Sequence, residues 1–227
     1  MHEKHSEIII GADKLATLAL LKNKDGLSRQ NFVEFCTAIR HDVSLMTRKS
    51  FEQDTTKVHF ISYGRILRRR ADGEIEVLLY KRPDQNNGES RLAGLWSCGI
   101  GGHIELADIV YNEKSVINLH ESFMLGAQRE LEEEVKFSLN GETIAPSTHP
   151  HLFTQEDVGF LIEWTNVGLT HLGVITDTYV LDENIKPVSG EDQLENVSFV
   201  PRVIAASGMY NYEGWSEILI KDLSDMV

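Results

Sequence analysis

The segment Arg129-Glu130-Leu131-Glu132-Glu133-Glu134-Val135 constrains this chain more than any other. At about 100° per helical residue, Met124, Ala127, Leu131 and Val135 share a face that must pack on a sheet or another helix. Glu130, Glu133 and Glu134 fall together on a different face, at i, i+3 and i+4. Like charges at these spacings repel by ~0.2–0.5 kcal/mol per pair. They also stand in the C-terminal half of the helix, where the macrodipole disfavours anions. Along the sequence no lysine or arginine is expected one turn away on that face to offset them. A glutamate run is ordinarily a solvated helix face. Two features argue otherwise here. Gly126, one turn before Glu130, leaves open space on the same face, and Gly101-Gly102-His103-Ile104-Glu105 offers a strand end whose backbone can be approached closely. Carboxylates held together in this way suit a hard dication, Mg²⁺ or Mn²⁺.

The rest of the chain reads as strands and helices in mixed order, an α/β or α+β pattern. Residues 1–54 read as an N-terminal extension. Glu7 to Ile10 suggests a strand and Gly26 a turn. Ser28 is a candidate N-cap for a helix that buries Phe32, Phe35, Cys36 and Ile39. The main domain, 55–227, follows the polar join Glu52 to Lys57. Val58 to Leu67 and Glu76 to Tyr80 are strand-like and meet across Asp72-Gly73, a short hairpin signal. Arg82 to Leu92, with Asn86, Asn87 and Gly88, reads as a loop. Leu95 to Ile104 is apolar but glycine-rich, and a helix is expected over about Ser122 to Val135. Strands are expected at Gly159 to Trp164, His171 to Leu181 and Val197 to Val200. A closing helix at Glu213 to Leu223 is expected to bury Trp215, Ile218 and Leu219.

Composition narrows the function classes. With 41% hydrophobic and 25% charged residues in 227, the chain can bury a sizeable core. A net charge of -13 opposes phosphate backbones, so nucleic acid is not expected as a partner. The basic run Arg68-Arg69-Arg70 reads as a solvated hairpin end rather than a phosphate contact. No apolar run is long enough to span a membrane, and Met1 to Glu7 does not read as a signal peptide. Cys36 and Cys98 are accordingly expected to be free thiols in a reducing cytoplasm.

Taken together, the glycine pair and the glutamate helix resemble the Nudix box: Gly, five residues, Glu, seven residues, then Arg-Glu-apolar-any-Glu-Glu-any-Gly-apolar. Gly102-His103-Ile104-Glu105 is similar to its opening, Glu121 stands eight positions before Arg129, and the Arg-Glu-x-x-Glu-Glu core is intact. Two departures stand out. The loop carries thirteen extra residues, within about Leu106 to Leu119, and Lys136 occupies the place of the glycine that closes the helix. The resemblance extends over Val58 to Val227 through Leu92-Ala93-Gly94-Leu95-Trp96-Ser97, His171-Leu172-Gly173 and Glu213-Gly214-Trp215-Ser216. It is to an uncharacterised subgroup with an N-terminal extension.

The resemblance implies a mixed β-sheet between helices and a Mg²⁺-dependent hydrolase, Mn²⁺ being the other candidate ion. Such an enzyme cleaves a pyrophosphate bond in a nucleoside diphosphate derivative or similar small metabolite. It implies Glu130, Glu133 and Glu134 as metal ligands, with the carbonyl of Gly101. Glu130 is the first candidate for the base and Glu133 the second. Arg129 would orient a glutamate, while Glu121 and Gly102 would anchor the loop. Arg82 and Arg91 are candidate phosphate clamps, and Asp177, Glu183, Glu191 and Asp192 candidates for a further ligand. Trp96 is read as core and His103 as structural. Two other readings use the same scaffold. An isopentenyl-diphosphate isomerase would need a cysteine where Gly101 stands, with Cys98 out of register; a ligand-sensing module would bind without turnover. The extension and the insertion are candidates for a lid or a homodimer contact.

Overall fold

Val58-His59-Phe60-Ile61-Ser62 alternates in the period of a strand, sending Val58 and Phe60 to one face and His59 and Ile61 to the other. It opens the long central strand of the computed structural model, which describes residues 6–84, 90–165, 170–190 and 194–225. The expected loop residues Asn86, Asn87 and Gly88 lie outside these, as do Glu191 and Asp192.

The chain runs β1 (Ile8–Asp13), α1 (Lys14–Leu20), β2 (Gly26–Ser28), α2 (Phe32–Ile39), β3 (Val43–Thr47), α3 (Arg48–Gln53) and β4 (Lys57–Arg69). It continues through β5 (Ile75–Lys81), β6 (Trp96–Ser97), β7 (Gly99–Ile100), α4 (Leu119–Glu134), β8 (Val135–Leu139) and β9 (Glu142–Ile144). It ends with β10 (Phe153–Ile162), β11 (His171–Val180), β12 (Lys186–Ser189), β13 (Glu195–Pro201), α5 (Arg202–Ala205) and α6 (Gly214–Asp225). The class is α+β with a mixed sheet. Two compact units divide the chain, one of residues 1–63, 101–127 and 157–176, the other of 64–100, 128–156 and 177–227.

In the first unit β11 lies between β4 and β10, β2 borders β10, and β1 pairs antiparallel with β4 and β3. Gly11 makes the β1–β4 pairing possible, because a Cβ there would stand 2.3 Å from the Val58 carbonyl. Helix α2 buries Phe32, Phe35, Cys36 and Ile39, the face expected from the sequence. The Phe32 and Phe35 rings lie 4.7 and 4.0 Å from that of Phe160. The cap is not Ser28, which belongs to β2, but Asn31, whose side chain accepts the Glu34 N–H at 3.0 Å.

In the second unit β5 lies between β4 and β13, and β12-β8-β9 form a separate three-stranded sheet. The β4–β5 hairpin turns at Asp72-Gly73, with Gly73 at φ 89°. Its basic run is used locally. Arg68 pairs with Glu76 and lies 4.2 Å over the Phe199 ring, Arg70 pairs with Asp72, and Arg69 donates to the Gly73 carbonyl. Helix α6 buries Ser216, Leu219, Ile220 and Leu223, while Trp215 and Ile218 are only half-buried, a shift of the expected face. The Glu213 carboxylate accepts the N–H groups of Trp215 and Ser216 and so closes its first turn.

A buried ion cluster ties these elements together. Arg65 has no exposed surface. Its Nε and Nη2 donate to the two oxygens of Asp177 at 2.7 and 2.8 Å, and Nη1 donates to Asp222 at 2.8 Å and to the Leu219 carbonyl at 3.0 Å. Burial pushes the guanidinium pKa down, but Asp177 and Asp222 overcome it and hold it above the usual value. Asp177, a candidate metal ligand by sequence, is thus occupied. Replacing Arg65 by Met should cost ~3–5 kcal/mol, because it strands the Asp177 carboxylate in the interior. Urea unfolding followed by circular dichroism measures this, and a loss under 1 kcal/mol would contradict the assigned role.

Candidate active site

Helix α4 presents its apolar residues as the periodicity requires. Ala127 and Leu131 are buried, with Phe123 and Leu119 added one and two turns earlier, and Met124 is half-buried. The helix ends at Glu134, and β8 begins at the next residue. Glu130 is buried at 8% exposure, Glu134 is half-buried and Glu133 is exposed. The expectation that no cation offsets this face is corrected by Arg129. Its Nη1 lies 2.9 Å from Glu130 Oε1 and 3.2 Å from Glu133 Oε2. Residue 129 is one turn before Glu133, and its side chain folds back over the face that the helical wheel assigned to acids alone.

The donor set suits a hard dication: three carboxylates on consecutive turns, the first of them withdrawn from water. Convergence on an ion would require Glu133 to swing away from Arg129, a small cost for an exposed side chain. Among the described residues the carboxylates do not form a group of three with ligand atoms within 4.8 Å of one another.

The exit of the helix is built without the glycine whose place Lys136 takes. The Lys136 ammonium donates to the Glu132 carbonyl. Gly190, just beyond β12, donates its N–H to the Glu134 carbonyl at 2.8 Å. A Cβ at Gly190 would stand 2.7 Å from the Glu133 carbonyl and 2.9 Å from that of Glu134. A distant glycine therefore satisfies the last turn, and β12, paired with β8 through Ser189 opposite Val135, holds it there. Glu132 faces elsewhere and accepts the Ser147 N–H and hydroxyl at 2.7 and 2.9 Å.

The glycine pair behaves as a close-approach strand. A Cβ on Gly101 would overlap the Ser62 carbonyl at 1.8 Å, and Gly102 accepts the Ser62 N–H at 2.9 Å. The loop that follows is anchored by a residue the sequence reading missed. Asp108, 3% exposed, accepts the Glu105 N–H at 2.9 Å, and its Oδ2 lies 3.3 Å from where a Gly126 Cβ would be. The signal was present, since five residues separate Gly102 from Asp108. Glu121, by contrast, is exposed and accepts from the Asn118 amide at 2.8 Å. The inserted segment is docked at its ends, where Val110 donates to Ser122 Oγ and Asn118 to the Val110 carbonyl. It exposes Leu106, Tyr111 and Val116.

Of the candidate phosphate contacts, Arg82 is half-buried, with Nη2 3.3 Å from the Tyr80 hydroxyl; Arg91 is exposed. Burial holds the Tyr80 phenol well above its usual pKa, with Arg82 pulling it down and Glu134 pushing it up. Tyr80, Arg82 and Glu134 are therefore electrostatic neighbours. Trp96 is half-buried and meets Tyr210 edge-on at 4.8 Å. Glu183 is exposed, and its carboxylate accepts the Ala71 N–H. Cys98 has no exposed surface, and burial pushes its thiol up to about 12, which leaves no thiolate for an isomerase-type proton transfer.

No protein-family model matches the sequence, and no curated relative matches it either. Among solved structures, the crystal structure of Tm1382, provisionally assigned as a Nudix hydrolase, superposes with a TM-score of 0.70 at 24% identity. That match covers 97% of this chain and 100% of Tm1382. A Nudix hydrolase from Alicyclobacillus acidocaldarius gives 0.48 at 14% identity, covering 73% of this chain and 90% of the other. The Nudix domain of Shewanella oneidensis NrtR, solved with ADP ribose, gives 0.45 at 15%, covering 74% and 87%. The fold assignment rests on the first. Substituting Ala for Gly190 should destabilise the fold by ~1–3 kcal/mol through the clash at the helix end. Denaturant midpoints of parent and variant measure it, and unchanged midpoints would mean that the turn accommodates a methyl group freely.

Proposed function

We propose that this chain, which has the Nudix fold, is a Mg²⁺-dependent hydrolase of a pyrophosphate linkage in a nucleoside diphosphate derivative or similar small phosphorylated metabolite. The observation that carries the reading is the end of α4, where Arg129 bridges the buried Glu130 and the exposed Glu133 beside Glu134. A helix face of that kind is costly as a solvated surface and useful as a cation site.

In this reading Glu130, Glu133 and Glu134 hold Mg²⁺, with Mn²⁺ as a substitute. When bound, the ion supplies charge neutralisation at the diphosphate and lowers the pKa of water. The protein's own groups do the rest. Arg129 fixes the Glu130 carboxylate, and Asp108, rather than Glu121, anchors the loop after Gly102. Arg82, held against Tyr80, meets a phosphate oxygen, with Arg91 as a second cation on the same loop. Water attacks phosphorus, its proton passes to a glutamate, Glu130 before Glu133, and the bridging P–O bond breaks to release two phosphorylated products. The intact carboxylate set favours turnover over ligand sensing.

Incubating the protein with nucleotide sugars, dinucleotides and other diphosphates should release phosphorylated products from at least one of them with Mg²⁺ or Mn²⁺, and none with EDTA. The variants Glu133→Gln and Glu134→Gln should lose ~100-fold or more in kcat. Because Arg129 already offsets part of the repulsion, their stability without metal should stay within ~0.5 kcal/mol of the parent's. Saturating Mg²⁺ at 100 times its Kd should stabilise the parent by ~2.7 kcal/mol and the variants much less. Equal Mg²⁺ shifts in all three proteins would remove this helix as the metal site.

A further inference from the structure

Three histidines from separate segments meet within the first unit. His59 lies in β4 opposite Gly11 of β1, His103 follows the glycine pair and bridges to Ile61, and His171 opens β11. One ring nitrogen from each lies within 4.8 Å of those of the other two. Among the described residues no other three histidine, cysteine, aspartate or glutamate side chains converge in this way. The His59 ring centroid lies 3.9 Å from that of His171 and 4.9 Å from that of His103. Phe51 lies parallel to His59, at 5.9 Å and 7°.

We propose that His59, His103 and His171 form a tripod for a transition-metal dication, Zn²⁺ foremost, with a fourth position open to solvent or a ligand. His59 has no exposed surface, so its two nitrogens must be satisfied from within. Nδ1 stands 3.0 Å from His103 Nε2, while Nε2 has no hydrogen-bond partner among the described residues. A core that wanted only packing would hold an apolar residue there, as at Val58 and Phe60 on either side. Zn–N bonds of about 2.0–2.1 Å around a tetrahedron place ligand nitrogens about 3.3 Å apart. His59 Nδ1 and His103 Nε2, 3.0 Å apart, are close to that spacing. His103 and His171 are only half-buried and can close the remaining gap by side-chain rotation. His171 is oriented by Thr170, whose Oγ1 lies 3.1 Å from Nδ1, as groups behind metal-bound imidazoles commonly are.

Nitrogen donors also separate this site from the carboxylates of α4. Imidazole favours Zn²⁺, Co²⁺ or Ni²⁺, whereas Mg²⁺ takes oxygen. Tag-free full-length protein, stripped with a chelator and titrated with Co²⁺ in excess Mg²⁺, should bind one equivalent with the intense visible bands of a four-coordinate ion. His103→Ala and His171→Ala should each weaken this by ~100-fold or more, since even outer partners of metal ligands are worth ~10–100-fold. Both positions are partly exposed, and melting curves without metal establish that the variants fold. His171→Cys should keep the Co²⁺ and add a thiolate charge-transfer band. Glu133→Gln should bind Co²⁺ as the parent does. The proposal is overturned by weak, pale, six-coordinate spectra, by binding that survives both alanine variants, or by binding that vanishes in Glu133→Gln.

Discussion

A guanidinium removed from water has to be matched donor by donor, and Arg65 meets that condition with Asp177, Asp222 and the Leu219 carbonyl. One side chain of β4 thereby fixes β11 and α6 in register. Desolvating such a cluster costs several kcal/mol per ion, which only near-ideal geometry offsets. The bidentate pairing with Asp177 supplies that geometry. It also settles what Asp177 does, because both its oxygens are committed. The proposed chemistry falls instead to the carboxylates of α4, in the same unit.

Those carboxylates show how far periodicity reaches. The apolar stripe of α4, the buried face of α2 and the Asp72-Gly73 hairpin follow from spacing alone, and all are present. The acidic face was drawn too narrowly at its edge. Arg129 stands one turn before Glu133 and next to Glu130, at the edge of their sector, and bonds to both. A different limit explains the loop anchor. Glu121 satisfied the count back from Arg129 and Asp108 the count forward from Gly102, and one sequence holds no burial to choose between them. Burial points to Asp108.

The short sheet β12-β8-β9 leaves little trace in the sequence. Val135 completes the apolar stripe of the helix and also begins β8, so the pattern of one element conceals the start of the next. Lys136 and Ser138 alternate with Phe137 and Leu139 as a strand requires, but five residues beside a strong helix signal carry little weight. The histidine cluster was invisible for another reason. His59, His103 and His171 are far apart along the chain, and each alone reads as a core or loop histidine. Only strand pairing brings their rings together.

The closure of α4 by Gly190 bears on the order in which the molecule assembles. A helix whose final carbonyls are met by its own glycine is finished as soon as it forms. Here the closing N–H lies beyond β8, β9, β10, β11 and β12 in the chain. The Glu134 carbonyl therefore lacks that partner until the whole excursion has returned, and contacts of such long sequence separation form slowly. During synthesis, a nascent chain still short of Gly190 displays its acidic residues on an unfinished helix end. The geometry of the proposed cation site then becomes one of the last things the fold acquires.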